Sequence, residues 1–176
     1  LVCIIILAVP SAFAEENKTV AVITPYLASV TTNQMIKAFE REAKAKGWDV
    51  VTVDTKGDFG ALASRMEDMI ARKVDAIVLG SADPNQLKDQ IKKSNEAGIP
   101  VLGADAGWIP GVTCNVTSDN YVMSAMMTTF LFNAIDRKGN IVVFTHRPHH
   151  GVRKRTLILD AIIIENPDIK VITEHH

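Results

Sequence analysis

Polar and aromatic side chains follow the ends of several apolar runs in this sequence. If these runs form parallel strands, their carboxyl ends meet at one edge of the sheet, where α/β proteins bind ligands. The candidate binding residues are Tyr26, Ser29, Thr31 and Thr32 after the first run, Ser81 after the third, Asp105 and Trp108 after the fourth, and Arg153 after the sixth. These groups are suited to hydrogen bonding and stacking with a small polar molecule, because carboxylates and guanidinium groups form strong charge-assisted bonds.

No motif for catalysis or nucleotide binding accompanies these residues. The sequence has no Gly-x-Gly-x-x-Gly after the first run, no Gly-Lys-Ser or Gly-Lys-Thr, and no Gly-x-Ser-x-Gly. The segment His146–His150 contains three histidines in one short loop without a nearby cysteine, which favours a polar rim over a metal site. We therefore expect no enzyme activity, no cofactor and no bound metal.

The apolar runs alternate with amphipathic segments along the whole chain. The predicted strands are 19–24, 48–54, 75–79, 100–104, 112–116, 140–145 and 169–173. The segments between them have the helical spacing of apolar residues, and Asp83 with Pro84 is typical of a helix start. This alternation predicts an α/β fold, a doubly wound parallel sheet with helices on both faces.

A long predicted helix follows Ser118-Asp119-Asn120. Asp119 and Asn120 fit the capping position of this helix better than a binding role. The helix carries a stripe of apolar residues, which comprises Met123, Met126, Met127, Phe130, Leu131 and Ile135. Methionine stripes of this kind usually pack in a core, so we expect this one to be buried.

The first fourteen residues have the features of a secretory leader. The apolar run Leu1–Val9 is too short to span a bilayer, and Ala12-Phe13-Ala14 matches a signal peptidase site. We expect residues 1–14 to be a signal peptide that is truncated at its start. The net charge is −1 with no basic patch, which excludes a nucleic-acid partner.

Four segments together resemble a known family. They are Phe39-Glu40-Arg41-Glu42-Ala43 with Gly47-Trp48, Val74-Asp75-Ala76-Ile77-Val78-Leu79, Asn95-Glu96-Ala97-Gly98-Ile99-Pro100-Val101, and Ser118-Asp119-Asn120. In this order the sequence resembles the type I periplasmic solute-binding proteins of ribose-type and galactose-type ABC importers. The resemblance implies a complete N-terminal ligand-binding lobe at residues 15–118 and the beginning of an incomplete second lobe at 119–176.

The resemblance also implies roles for two charged residues. The family's binding aspartate directly follows the fourth strand, where Asp105 stands, and its second-lobe arginine opens the helix after the sixth strand, where Arg153 stands. Pentose-binding members carry aromatic residues where this chain has Thr31 and Thr32, which disfavours a ribose-like binding mode. Tyr26 or Trp108 could supply a ring face instead.

The function implied by the resemblance is capture of a sugar or polyol between two lobes, outside the cytoplasm, and delivery to an ABC permease in the membrane. We expect a monomer that closes around its solute. One alternative is a sensory binding protein that presents a small ligand to a chemoreceptor or sensor kinase. An exported α/β enzyme is a further alternative.

Overall fold

A computed structural model describes residues 17–175, so the predicted signal peptide at residues 1–14 lies outside the described residues. The elements in chain order are β1 (Thr19–Thr24), α1 (Val30–Ala45), β2 (Asp49–Asp54), α2 (Gly60–Ala71), β3 (Ala76–Gly80), a 3-10 turn (Pro84–Gln86), α3 (Lys88–Glu96), β4 (Val101–Ala104), β5 (Val112–Val116), α4 (Asn120–Ala134), β6 (Gly139–Phe144), α5 (His150–Ile164) and β7 (Ile169–His175).

Strands β1 to β5 form one parallel sheet with the order β2-β1-β3-β4-β5. The order reverses between β1 and β3, because the chain first moves outward from β1 to β2 and then returns past β1 to β3. A reversal of this kind leaves a crevice at the carboxyl ends of the two strands. The residues that follow β1 and β3 therefore lie at the position where such sheets bind ligands.

Helices cover both faces of this sheet. On one face, Leu62 and Met66 of α2 and Ile91 of α3 pack against the buried side chains of the strands. On the opposite face, Ile36 of α1 packs against Val22 and Val78. The strands read as continuous apolar runs because both of their faces are covered in this way.

Strands β6 and β7 form a second, parallel sheet. Phe132 of α4 packs with Ile141 of β6 and Ile169 of β7, and α5 adds partly buried side chains to this smaller core. The two sheets are joined by the segment between Val116 and Asn120. The predicted division into lobes at residues 118 and 119 stays a prediction.

The buried face of α4 differs from the expected one. Its buried residues are Asn120, Ser124, Thr128 and Phe132, whereas Met126, Met127, Phe130 and Leu131 are exposed. The prediction that the methionine stripe is buried was therefore wrong for these residues. Apolar side chains occur on every side of α4, so their spacing could not identify the face that packs against α5.

The parallel α/β architecture confirms the predicted fold class. Asp119 accepts hydrogen bonds from the backbone N–H groups of Tyr121 and Val122, which confirms its predicted capping role. Among residues 17–175, no helix has both the length and the apolar character needed to cross a membrane.

Candidate ligand-binding site

Ser81 and Asp105 follow β3 and β4 directly and have unusual backbone conformations. Their φ angles are 56° and 51°, in the left-handed region that few residues other than glycine adopt. The Ser81 N–H donates to the carbonyl of Ala104, and the Asp105 N–H donates to the carbonyl of Val116. The sheet hydrogen bonds therefore extend into both turns and fix these residues at the crevice. Backbone strain of this kind is concentrated at functional sites.

The hydroxyl groups of Thr32 and Ser81 are 3.2 Å apart, and both side chains are buried. Thr32 lies in the first turn of α1, so the hydrogen bond joins the start of that helix to the end of β3. The structure thus brings together two of the predicted site residues. Their bond satisfies polar groups that would otherwise destabilise the interior.

Asp83 and Arg153 form an ion pair between the first sheet and α5. A guanidinium nitrogen of Arg153 lies 2.5 Å from Oδ2 of Asp83, and a second one donates to the carbonyl of Arg147. Burial of the Asp83 carboxyl acts to raise its pKa, but hydrogen bonds from Arg153 and Asn85 outweigh this effect, so the pKa is lowered. The carboxylate is therefore charged at neutral pH.

Tyr26 lies among three other rings at the same edge. Its ring centroid is 5.1 Å from His149, 5.8 Å from His146 and 5.9 Å from Phe59. Its hydroxyl is 3.4 Å from Nε2 of His146. Burial, followed by the nearby negative charge of Asp83, raises the pKa of the Tyr26 hydroxyl. The phenol is therefore protonated at neutral pH and can donate a hydrogen bond.

The Asp105 side chain bonds to Thr117 and does not pair directly with Arg153. Its Oδ1 accepts a hydrogen bond from the Thr117 hydroxyl at 3.2 Å, while Arg153 binds Asp83. The charge of Asp105 acts on both His149 and His150, which places it near the beginning of α5. Asp105 is half-buried, so part of its surface remains in contact with solvent.

The remaining predicted residues are more exposed. Ser29 directly precedes α1, and its hydroxyl lies 3.1 Å from that of Thr31, so these two side chains bond to each other at the surface. Trp108 is 64% exposed. A ring with this much free surface is available to a ligand or another molecule, but the structure does not bring it into the ring cluster around Tyr26.

The beginning of α5 packs against the loop after β4. Gly107 lies so close to His150 that a Cβ atom at this position would be 2.8 Å from Cε1 of that ring. Burial is also the main reason that the pKa of His150 is lowered. Gly107 thus permits a contact between the first sheet's loops and α5 that a larger residue would prevent.

The contact of Asp83 with Arg153 is not predicted by the sequence, in which the position of Asp83 before Pro84 favours interpretation as a helix cap alone. The cap exists, since Oδ1 of Asp83 accepts from the Asn85 N–H at 3.0 Å. The other oxygen holds Arg153, which lies 70 residues later in the sequence. No local pattern could have indicated that pairing.

A separate groove of about 760 Å³ lies between α4, β6 and α5. Its lining is dominated by apolar side chains, including Met127, Phe130 and Phe144. Among its polar lining residues, Ser124, Thr145 and Thr156 already form hydrogen bonds within the protein. A polyhydroxy ligand needs several convergent hydrogen-bonding groups, and the crevice near Asp83 is richer in them. We therefore place the candidate site at the crevice. Within residues 17–175, no group of three or more potential metal ligands is present.

Residues 20–176 match the family model described as "Periplasmic binding protein domain". The chain belongs to this family. The match extends over both sheets, and it confirms the family resemblance that the sequence motifs indicated.

Curated members of the family show more specific similarity. The chain is 29% identical over 106 residues to the ribose import binding protein of Bacillus subtilis, covering 60% of this chain and 35% of the relative. It is 26% identical over 154 residues to a xylitol-binding protein of Mycolicibacterium smegmatis, covering 86% of this chain and 44% of the relative. The chain thus spans less than half the length of these relatives. Both are binding proteins rather than enzymes, in agreement with the prediction from the motifs.

A solved structure gives the same result for the fold. An ABC transporter solute-binding protein from Agrobacterium vitis with bound allitol has a TM-score of 0.78 and 28% sequence identity. The similarity covers 90% of this chain and 55% of that protein. The parallel α/β architecture of this chain is therefore that of periplasmic binding proteins.

Proposed function

We propose that the protein binds a sugar or polyol at the crevice beside Asp83, Asp105 and Arg153, outside the cytoplasm, and delivers it to an ABC permease. The single observation that carries this proposal is the ion pair between Asp83 and Arg153. It shows that a charged group from α5 reaches the carboxyl ends of the first sheet's strands. A ligand at this position would contact two units at once, the first sheet with its helices and the second sheet with α4 and α5.

The mechanism is closure of the two units around the solute. Asp105 and the hydroxyl groups of the first sheet bind one side of the ligand, and Arg153 binds the other. Only the closed state engages both sets of groups, so the ligand shifts the population toward it. Micromolar affinity requires about 8 kcal/mol, which a few charge-assisted hydrogen bonds and one ring contact can supply after ordering costs.

The relatives support this class of ligand. Two carry names that refer to ribose import and to xylitol, and a solved neighbour holds allitol. Thr31 and Thr32 leave the start of α1 without the aromatic rings expected of pentose-binding members. We therefore include open-chain polyols such as xylitol and allitol, together with cyclic sugars, among the proposed ligands.

The test is a thermal-shift screen of sugars, polyols and amino acids against the full-length protein. We expect a sugar or polyol to raise the melting temperature, and Asp105→Ala to abolish that increase. Glu165→Gln is the matched control, because it removes an exposed carboxylate at the opposite end of α5, about 22 Å from His150. An unchanged increase in Asp105→Ala would remove Asp105 from the site.

Delivery to a permease is tested separately by measuring uptake of the identified solute into vesicles that contain the cognate permease. Stimulation of uptake by the protein supports the carrier role. Binding without stimulation would favour presentation of the ligand to a receptor or sensor kinase. Chemical conversion of a bound solute would contradict the proposal and indicate an enzyme.

A further inference from the structure

Helix α5 begins with an unusual capping residue. His149 has an extended backbone, with φ −76° and ψ 125°, and its Nδ1 atom accepts hydrogen bonds from the N–H groups of Gly151 at 3.1 Å and Val152 at 3.3 Å. The residues preferred at this position are serine, threonine, aspartate and asparagine, which accept through oxygen. Here an imidazole nitrogen satisfies two of the free N–H groups at the helix start.

This geometry determines the protonation state of the ring. Nδ1 can accept only if it carries a lone pair, so the neutral ring must hold its proton on Nε2. An imidazolium ion carries protons on both nitrogens. Protonation of His149 would therefore direct an N–H group at the Gly151 and Val152 donors and place a cation at the positive end of the helix. Both effects oppose the cap.

The cap lies next to the residue that reaches across the crevice. Arg153 is in the first turns of α5, and its backbone N–H donates to the His149 carbonyl at 2.9 Å. From this position its guanidinium group binds Asp83 and the Arg147 carbonyl. The direction of the Arg153 side chain thus depends on the helix start that His149 holds.

The groups around His149 shift its pKa in opposite directions. Tyr26 faces the ring from the loop after β1, and Asp105 acts on it from the loop after β4. Arg155 and His150 on α5, together with His146 in the preceding loop, act to lower the pKa of His149. Burial is the largest influence and lowers the pKa of His149, while Asp105 opposes it. The ring is therefore neutral near pH 7, as the cap requires.

We propose that His149 is a positioning residue whose neutral imidazole caps α5 and holds Arg153 at the crevice, and whose protonation releases both. Ligand affinity and stability then fall together as the solution becomes acidic. In the folded protein the pKa of His149 lies below its ordinary value of about 6.5, so the contribution of His149 to the stability of the fold is complete above pH 6.5. It is lost as the pH falls from 6.5 through the lowered pKa.

Two substitutions separate capping from titration. His149→Asn replaces Nδ1 by an amide oxygen that caps helices well and does not titrate. His149→Ala removes the cap at every pH. We expect His149→Ala to weaken ligand binding at pH 7.5 by about fivefold, as a lost cap of about 1 kcal/mol would. His149→Asn should retain wild-type affinity at pH 7.5 and lose the decrease that wild type shows as the pH falls through the lowered pKa of His149.

Nitrogen-15 NMR of the imidazole tests the cap without a ligand. We expect the Nε2–H tautomer for His149 and a titration midpoint below 6.5. An Nδ1–H tautomer, or a midpoint at or above 6.5, would overturn the proposal. Urea unfolding between pH 7.5 and 5.5 gives a second measurement, in which wild type should lose more stability than His149→Asn. His175→Asn is the control, because it removes an exposed histidine on β7 and should leave the wild-type pH dependence intact.

The ligand measurements rest on the proposed function, whereas the NMR and unfolding measurements do not. If no sugar or polyol binds, the proposed function fails, and the tautomer and unfolding data still decide the capping role. If a ligand binds with the same pH dependence in wild type and His149→Asn, the positioning role is wrong and the proposed function stands.

Discussion

The ion pair between Asp83 and Arg153 should couple the first sheet to α5 energetically. Asp83→Asn removes the charge but keeps an oxygen that can accept from the Asn85 N–H, so the local turn is preserved. Arg153→Gln removes the opposite charge and shortens the side chain. A double-mutant cycle with these two substitutions isolates the interaction from the separate effects of each.

The burial of the two groups sets the expected magnitude. The Asp83 side chain is 6% exposed and the Arg153 side chain is 38% exposed. Exposed pairs contribute about 0.2–1 kcal/mol, whereas removing one partner of a fully buried pair costs about 3–5 kcal/mol. Because Arg153 retains contact with water, we expect a coupling energy of about 1–2 kcal/mol.

Urea unfolding at pH 7 and low salt measures this coupling. The matched control is the pair between Lys92 and Glu96, whose side chains are 77% and 64% exposed and whose charged atoms lie 3.8 Å apart. Its cycle should give no more than about 0.5 kcal/mol. A coupling for Asp83 and Arg153 as small as that of the control would refute the reasoning that this pair joins the two units.

Two further predictions concern the ion pair and the neighbouring contact of Gly107 with His150. The hydrogen bonds to Asp83 lower its pKa, so the ionised carboxylate stabilises the folded protein. The stability difference between wild type and Asp83→Asn should therefore be complete above pH 4 and vanish as the pH falls through the lowered pKa. Thermal unfolding from pH 7 to 2 measures this difference. Gly107→Ala would place Cβ 2.8 Å from the His150 ring and 3.1 Å from Pro84, so it should cost about 1–3 kcal/mol in urea unfolding. Gly60→Ala, where Cβ meets only the Asp58 carboxylate within 4 Å, should be neutral or stabilising.

The fold was predictable because its signals are local. Strands that are covered on both faces need continuous apolar runs, and β1 and β3 have them. The parallel topology then follows from strand–helix alternation and right-handed crossovers. The buried face of α4 was not predictable, because that helix is apolar on all sides and only its contact with α5 selects Ser124 and Thr128.

For the candidate site, the sequence predicted where the polar residues lie but not which contacts they make. Sequence reasoning placed polar residues at the carboxyl ends of the strands, and the structure shows Tyr26, Ser81 and Asp105 there. It did not identify Asp83 as the partner of Arg153, because a contact between residues 70 positions apart leaves no local signal. Histidine is not among the preferred capping residues, so the role of His149 at α5 also required coordinates.

The ion pair does not prevent Arg153 from binding a ligand. A guanidinium group has five N–H donors, and the bonds to Asp83 and the Arg147 carbonyl use two of them. Three donors remain that a ligand hydroxyl group could use. Asp83 fixes the plane of the guanidinium group before the ligand arrives, which reduces the conformational entropy lost on binding. The same carboxylate can therefore stabilise the contact between the two units and orient Arg153, the residue that we propose binds the solute.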